Sequence, residues 1–238
     1  MNLFNRHKIR TYIAIAVTLD CGSTLADVSG NVALTSDYVF RGFSQTEGDP
    51  AIQGGFDVAY DNGLYAGVWA SNVESDPSAP VNYNGANVET DIYGGWAGNF
   101  DALSLEIGYL RYQYPGTKAN ANNTDEFHLG AGYETSVVST TLNLHYSPDY
   151  FGADKAFYWD LGIDVPLPKN IIFTAHYGLT DYQDNSLGDD YVDWCIGFST
   201  EWNKLRFVLS YINTAGITDT CDNNVCAERF VLSVSRSL

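Results

Sequence analysis

The residues of this chain best suited to chemistry are carboxylates at alternating positions: Asp37, Asp57, Glu89, Asp91, Glu106, Glu126, Glu134, Asp160, Asp164, Asp193 and Glu201. Basic residues on the same parity are fewer, namely Arg41, Arg206 and Arg229. Lining a narrow water-filled passage, such a surplus of acids attracts cations and raises the barrier to anions. The histidines His128, His145 and His176 share this parity, and a hairpin closing around residues 135–138 sets His128 roughly opposite His145. That pair is a weak candidate for a transition-metal site or a pH-sensitive constriction, because imidazole binds metal when neutral and gains charge in mild acid. The plainer reading is hydrogen-bonded histidines in a polar interior, with no metal or cofactor.

Other chemistries fit less well. A Ser/His hydrolase working on lipid needs its nucleophile and base together on the outer surface, whereas all three of these histidines take the opposite parity, so no enzyme is expected. The stretch DYQDNSLGDDYVD offers clustered oxygens for calcium but lacks the EF-hand spacing and reads as a solvated acidic loop. Cys221 and Cys226 flank four residues and suit a local disulfide, while Cys195 lies inside an alternating run and reads as a small buried thiol.

The elements that must position these groups are strands. IQGGFDVAYDNGLYAGVWA, residues 52–70, folds about Asp61, Asn62 and Gly63, a three-residue turn ending in the residue that best tolerates a left-handed backbone. This register sets Tyr60 opposite Leu64, Val58 opposite Ala66, Phe56 opposite Val68, Asp57 opposite Gly67 and Trp69 opposite Gly55. One face is apolar and the other small or polar.

The same alternation runs on through Val32, Leu34, Tyr38 and Phe40 at the start, Leu103 to Tyr109 and Phe157 to Val165 in the middle, and Phe230 to Val234 at the end. It predicts about twelve strands, an even number of the kind that closes into membrane barrels. Short connections near residues 61–63, 98–102, 135–137, 166–170 and 202–204 alternate with long ones near 42–50, 74–87, 115–124, 148–154, 181–190 and 214–227. In an all-antiparallel barrel every short turn then falls at one end, periplasmic, and every long loop at the other, extracellular. Tyr38, Phe40, Tyr60, Trp96, Tyr146, Tyr177, Trp194 and Tyr211, near strand ends, suit aromatic girdles. The apolar face then meets lipid, since closure leaves no unpaired sheet edge. A soluble sandwich is the competing architecture.

Composition agrees with export. Arg6, Lys8 and Arg10 precede an apolar run and then Thr24, Leu25 and Ala26, so residues 1–26 read as a cleaved signal peptide and residues 27–238 as one barrel domain. The chain carries a net charge of -17, which argues against nucleic acid and for cations or solvent as neighbours.

The segment LTSDYVFRGFSQTEGDPAIQGGFDVAYDNGLYAGVWASNV, residues 34–73, resembles the opening of the TorF-type porin family, through its DYVFRG, PAIQGGFD and YAGVWASNV pieces together. The resemblance implies an outer-membrane β-barrel forming a pore. The chain ends in Leu238, where outer-membrane barrels commonly have an aromatic residue. With the residues above, the expectation is an outer-membrane channel for small solutes with a cation-preferring lumen lined by Asp37, Arg41, Asp57, Glu89, Asp91, Glu106, Asp160, Asp164, Asp193 and Arg206. The alternative is a non-conducting surface barrel whose loops bind partners.

Overall fold

The computed structural model describes residues 26–74, 85–117, 123–152, 154–183, 188–217 and 223–238. The leader and Cys221 lie outside the described residues. Alternation turns into strand along the chain: β1 (Asp27–Thr35), a short pair β2 (Val39–Phe40) and β3 (Phe43–Ser44), then β4 (Ala51–Ala59), β5 (Leu64–Asn72), β6 (Val88–Phe100) and β7 (Leu103–Gln113). The series continues with β8 (Thr124–Glu134), β9 (Ser139–Tyr150), β10 (Asp154–Leu167), β11 (Ile171–Tyr182), β12 (Tyr191–Trp202), β13 (Leu205–Ala215) and β14 (Arg229–Ser237). All except β2 and β3 form one closed antiparallel barrel, sealed where β1 pairs with both β14 and β4. Every strand thus has two partners, and no row of backbone donors is left open.

The β4–β5 hairpin adopts the register expected from its sequence, with Phe56 facing Val68, Asp57 facing Gly67 and Trp69 facing Gly55. Gly63 closes the turn at φ +89°, and a Cβ there would stand 2.4 Å from the Ala97 carbonyl oxygen. The neighbouring Trp96 Nε1 donates to the Asn62 carbonyl at 2.9 Å, fastening this turn to β6.

Side chains are distributed inside out. Ile52, Phe56, Ile107, Leu129, Leu161, Phe198 and Leu232 are exposed around the outer wall, while the most enclosed side chains are Glu89, Glu126, Asp91, Thr124, Ser147 and Thr180. Water is a poor solvent for such an apolar outer wall. In lipid the exposure carries no penalty, and a closed barrel is one of the two backbone forms that satisfy all their hydrogen bonds there. Cross-strand aromatic contacts Tyr146–Phe157 (4.9 Å), Trp194–Tyr211 (5.6 Å) and Tyr211–Phe230 (5.1 Å) gather toward the long-loop end.

The structure departs from the sequence expectation at three places. Tyr38 and Phe40 do not extend the first strand or join a girdle: β1 stops at Thr35, and both rings turn into the barrel, Tyr38 edge-on to Trp69 (5.5 Å) and Phe40 edge-on to Tyr112 (5.6 Å). The long loop expected at 148–154 is only residues 151–153, because β9 runs on to Tyr150. Pro148 is tolerated there because the β9–β10 register shifts between Asp154 and Ala156, beside it, where a missing N–H breaks no ladder bond. Cys195, expected to be buried, is half-buried.

Candidate functional site: the barrel lumen

The interior is organised by the segment between β1 and β4. Its strands β2 and β3 pair only with each other, forming a sheet separate from the barrel. The turn between them is Arg41 (φ 46°) and Gly42 (φ 83°). Positive φ at both central residues gives the tight hairpin turn whose twist suits antiparallel strands. Glycine is required at the second position for space as well, since a Cβ on Gly42 would lie 2.6 Å from Thr214 Oγ1 and 2.8 Å from Asp193 Cβ. The hairpin therefore lies against the wall at β12 and β13, and Thr214 Oγ1 donates to the Gly42 carbonyl at 3.0 Å.

Asp37 holds the base of this hairpin. Its Oδ1 accepts from Ser44 Oγ (2.6 Å) and Thr46 Oγ1 (3.0 Å), and its Oδ2 from Arg229 Nη1 (2.6 Å). Arg41 holds the tip. Its Nη2 donates to Glu126 Oε2 at 2.7 Å, with side chains only 6% and 1% exposed. The guanidinium also stacks near the rings of Tyr158 (4.2 Å), Phe40 (4.8 Å) and Tyr150 (5.9 Å). Burial, the largest single influence, would lower the Arg41 pKa, but Glu126 together with Tyr150, Tyr112 and Tyr158 holds the group above its ordinary value.

Glu126 is a junction. Its Oε1 faces His145 Nδ1 at 2.9 Å and accepts from Tyr112 at 3.3 Å, while Ser147 Oγ donates to Oε2 at 3.2 Å. Three strands along the wall, His176 lies between two carboxylates, with Nδ1 2.6 Å from Asp160 and Nε2 2.8 Å from Asp193. Only the doubly protonated ring can donate to both. Asn143 Nδ2 donates to Asp160 at 3.1 Å, and Tyr158 OH donates to Asp193 at 3.1 Å.

The remaining acids meet hydroxyls, His128 or one another. Asp57 accepts from Tyr93 OH, Glu106 from Tyr65 OH (2.7 Å) and Asp164 from Thr174 Oγ1 (2.6 Å). His128 Nε2 lies 3.3 Å from Glu106. Glu89 and Asp91, two apart on β6, are buried together, and Tyr38 OH reaches Glu89 at 3.4 Å. Arg206, on β13, donates to Ser199 at 3.4 Å. Asp57, Glu89, Asp91, Glu106, Asp160, Asp164, Asp193 and Arg206 sit on the inward face of their strands, while Asp37 and Arg41 reach the interior from the folded-in loop. Glu134 and Glu201, assigned to the lumen by parity, are exposed at the short-turn end.

His128 pairs with His145 across β8 and β9, ring centroids 5.8 Å apart. No group of three or more His, Cys, Asp or Glu residues able to hold a metal ion occurs among the described residues. Cys226 is disulfide-bonded. Sequence reasoning missed Tyr150 and Tyr158 as interior groups: Tyr158 carries the signal, alternating with Phe157 and Trp159, whereas Tyr150 shares the outward parity of Tyr146 and is turned inward by the register shift beside Pro148.

A family model described as a bacterial protein of unknown function (Gcw_chp) matches residues 20–238. No curated protein matches the chain by sequence. Among solved structures, a KdgM porin is 11% identical with a TM-score of 0.58, over 89% of this chain and 98% of its own. A KdgM porin in complex with disordered oligogalacturonate is 13% identical (TM-score 0.56, the same coverage), and a NanC porin 9% identical (TM-score 0.54, 88% and 98%). These likenesses are of fold. What the comparisons support of the resemblance in residues 34–73 is the porin-type barrel, without the TorF-type name.

Proposed function

The chain belongs to this Gcw_chp family of bacterial proteins of unknown function, and from its fold and interior we propose that it is a porin-like outer-membrane channel for small solutes, with a cation-preferring lumen and no enzymatic role. Its apolar outer wall suits lipid, and a cleaved leader would export it. In that membrane the short turns face the periplasm and the long loops the outside.

The observation that carries the cation preference is the kind of partner the lumen acids have. Asp57 and Asp164 are held by a tyrosine and a threonine hydroxyl, which leave their negative charge in place. A passage walled by uncompensated carboxylates concentrates cations and repels anions. Oligogalacturonate, found in one KdgM porin structure, is a polyanion, and this wall disfavours a solute of that charge.

A second reading has its own support. Arg41–Glu126 and Arg229–Asp37 are buried ion pairs that hold a hairpin across the interior, as a non-conducting structural barrel with partner-binding loops would. Planar-bilayer recordings of the refolded mature chain separate the two. The channel reading expects discrete conductance steps and a reversal potential favouring cations across a salt gradient. Silent bilayers from protein shown to be folded would leave the structural reading.

A further inference from the structure

We propose that Glu126, Tyr150 and Tyr158 form a binding site for small guanidinium-bearing solutes, and that Arg41 fills it as a tethered internal ligand. The proposal names a solute class for the channel reading, but it is tested by binding alone.

The site belongs to the barrel wall. Glu126 is on β8, Tyr150 ends β9 and Tyr158 is on β10, whereas only Phe40 and Arg41 arrive with the hairpin. A carboxylate whose second oxygen is held by His145 and Tyr112 presents its first oxygen to a planar cation. Tyr158, 4.2 Å from the guanidinium carbon, supplies the electron-rich face that such a cation prefers. Glu126 and Tyr158 also keep partners on the wall itself: His145, Tyr112 and Ser147 for Glu126, and Asp193 for Tyr158.

The hairpin is the replaceable part. Its strands make no ladder with the barrel; near the tip it is held by the Arg41 contacts, the Thr214 bond to Gly42 and the rings of Phe40 on Tyr112 and Phe43 on Tyr191. Arg41 takes a left-handed backbone, which costs an L-residue conformational energy that the Glu126 pair must offset. A free guanidinium can make the same ion pair and ring contact without that cost. It must, however, compete with a group held at the high effective concentration of a short tether. The unaltered chain therefore binds such solutes weakly, in proportion to the fraction of time the hairpin is withdrawn.

The test uses methylguanidinium titrated calorimetrically into the refolded chain in detergent, against sodium at equal ionic strength. Arg41→Gln, which removes the charge and keeps much of the length, should bind methylguanidinium at least tenfold more tightly than the unaltered chain. The added Glu126→Gln change should abolish that binding, and Tyr158→Leu should weaken it. Equal binding by the unaltered chain and R41Q, or undiminished binding by R41Q/E126Q, overturns the proposal. Amide hydrogen exchange on the unaltered chain tests it without any substitution: methylguanidinium, unlike sodium, should speed exchange across residues 39–44. Unchanged exchange there at saturating solute also overturns it. Because neither readout involves current, a silent barrel that binds methylguanidinium leaves this proposal standing and removes only the channel.

Discussion

Arg229, the first residue of β14, donates from Nη1 to Asp37 Oδ2 at 2.6 Å, joining the last barrel strand to the residue from which the inward hairpin springs. Asp37 also receives two hydroxyls, so its removal strands three donors at once. Asp37→Ala should destabilise the folded barrel by roughly 3–5 kcal/mol, the usual result of breaking one side of a buried ion pair. Urea unfolding in micelles measures it, and a shift under 1 kcal/mol would show that the hairpin base is held by other contacts.

Gly42 has no room for a side chain and sits at a φ of 83°. Gly42→Ala should therefore lift the hairpin tip off Thr214, at about 1–3 kcal/mol for the strained backbone together with the overlap. In bilayers the variant should conduct more than the unaltered chain. Identical conductance would mean that the hairpin does not set the narrowest point.

His176 sits between Asp160 and Asp193. His176→Gln leaves two facing carboxylates without their shared partner and should cost about 3–5 kcal/mol. Adding Asp160→Asn and Asp193→Asn should restore part of that loss, because the repulsion goes with the charges. Three unfolding curves decide it, and a triple variant less stable than the single one would contradict this account.

Neutralising Asp57 and Glu106 should change selectivity more than stability. Asp57→Asn with Glu106→Gln is expected to move the reversal potential toward zero in a potassium chloride gradient. An unaltered potential would take both residues out of the selectivity mechanism.

Leu161 is exposed on the outer wall. Leu161→Arg should cost about 2–4 kcal/mol if it lies near the bilayer midplane. The comparison is unfolding from lipid vesicles, and no loss at all would argue that this face does not meet lipid.

Much of the barrel was legible because period-two alternation depends on one physical fact, that neighbouring strand residues point to opposite faces. Asp57 opposite Gly67 and His128 opposite His145 follow from it directly. The inward hairpin was hidden by the same rule. Tyr38 and Phe40 continue the parity of Val32 and Leu34, so the strand reads as unbroken across Ser36 and Asp37. Arg41-Gly42 also lacks the Asn-Gly or Asp-Gly signature of such turns. Its left-handed arginine is stabilised by Glu126, which is 85 residues away in sequence and so invisible to local reading. Pro148 misled for the opposite reason, since a proline that usually marks a loop here sits beside a register shift.

Because β14 both closes the cylinder against β1 and supplies Arg229 to Asp37, sealing the wall and clamping the throat are a single event in assembly. A chain still lacking its final segment would have two raw edges and would lack the Arg229 latch on Asp37, so one strand completes both the wall and the hold on the hairpin base.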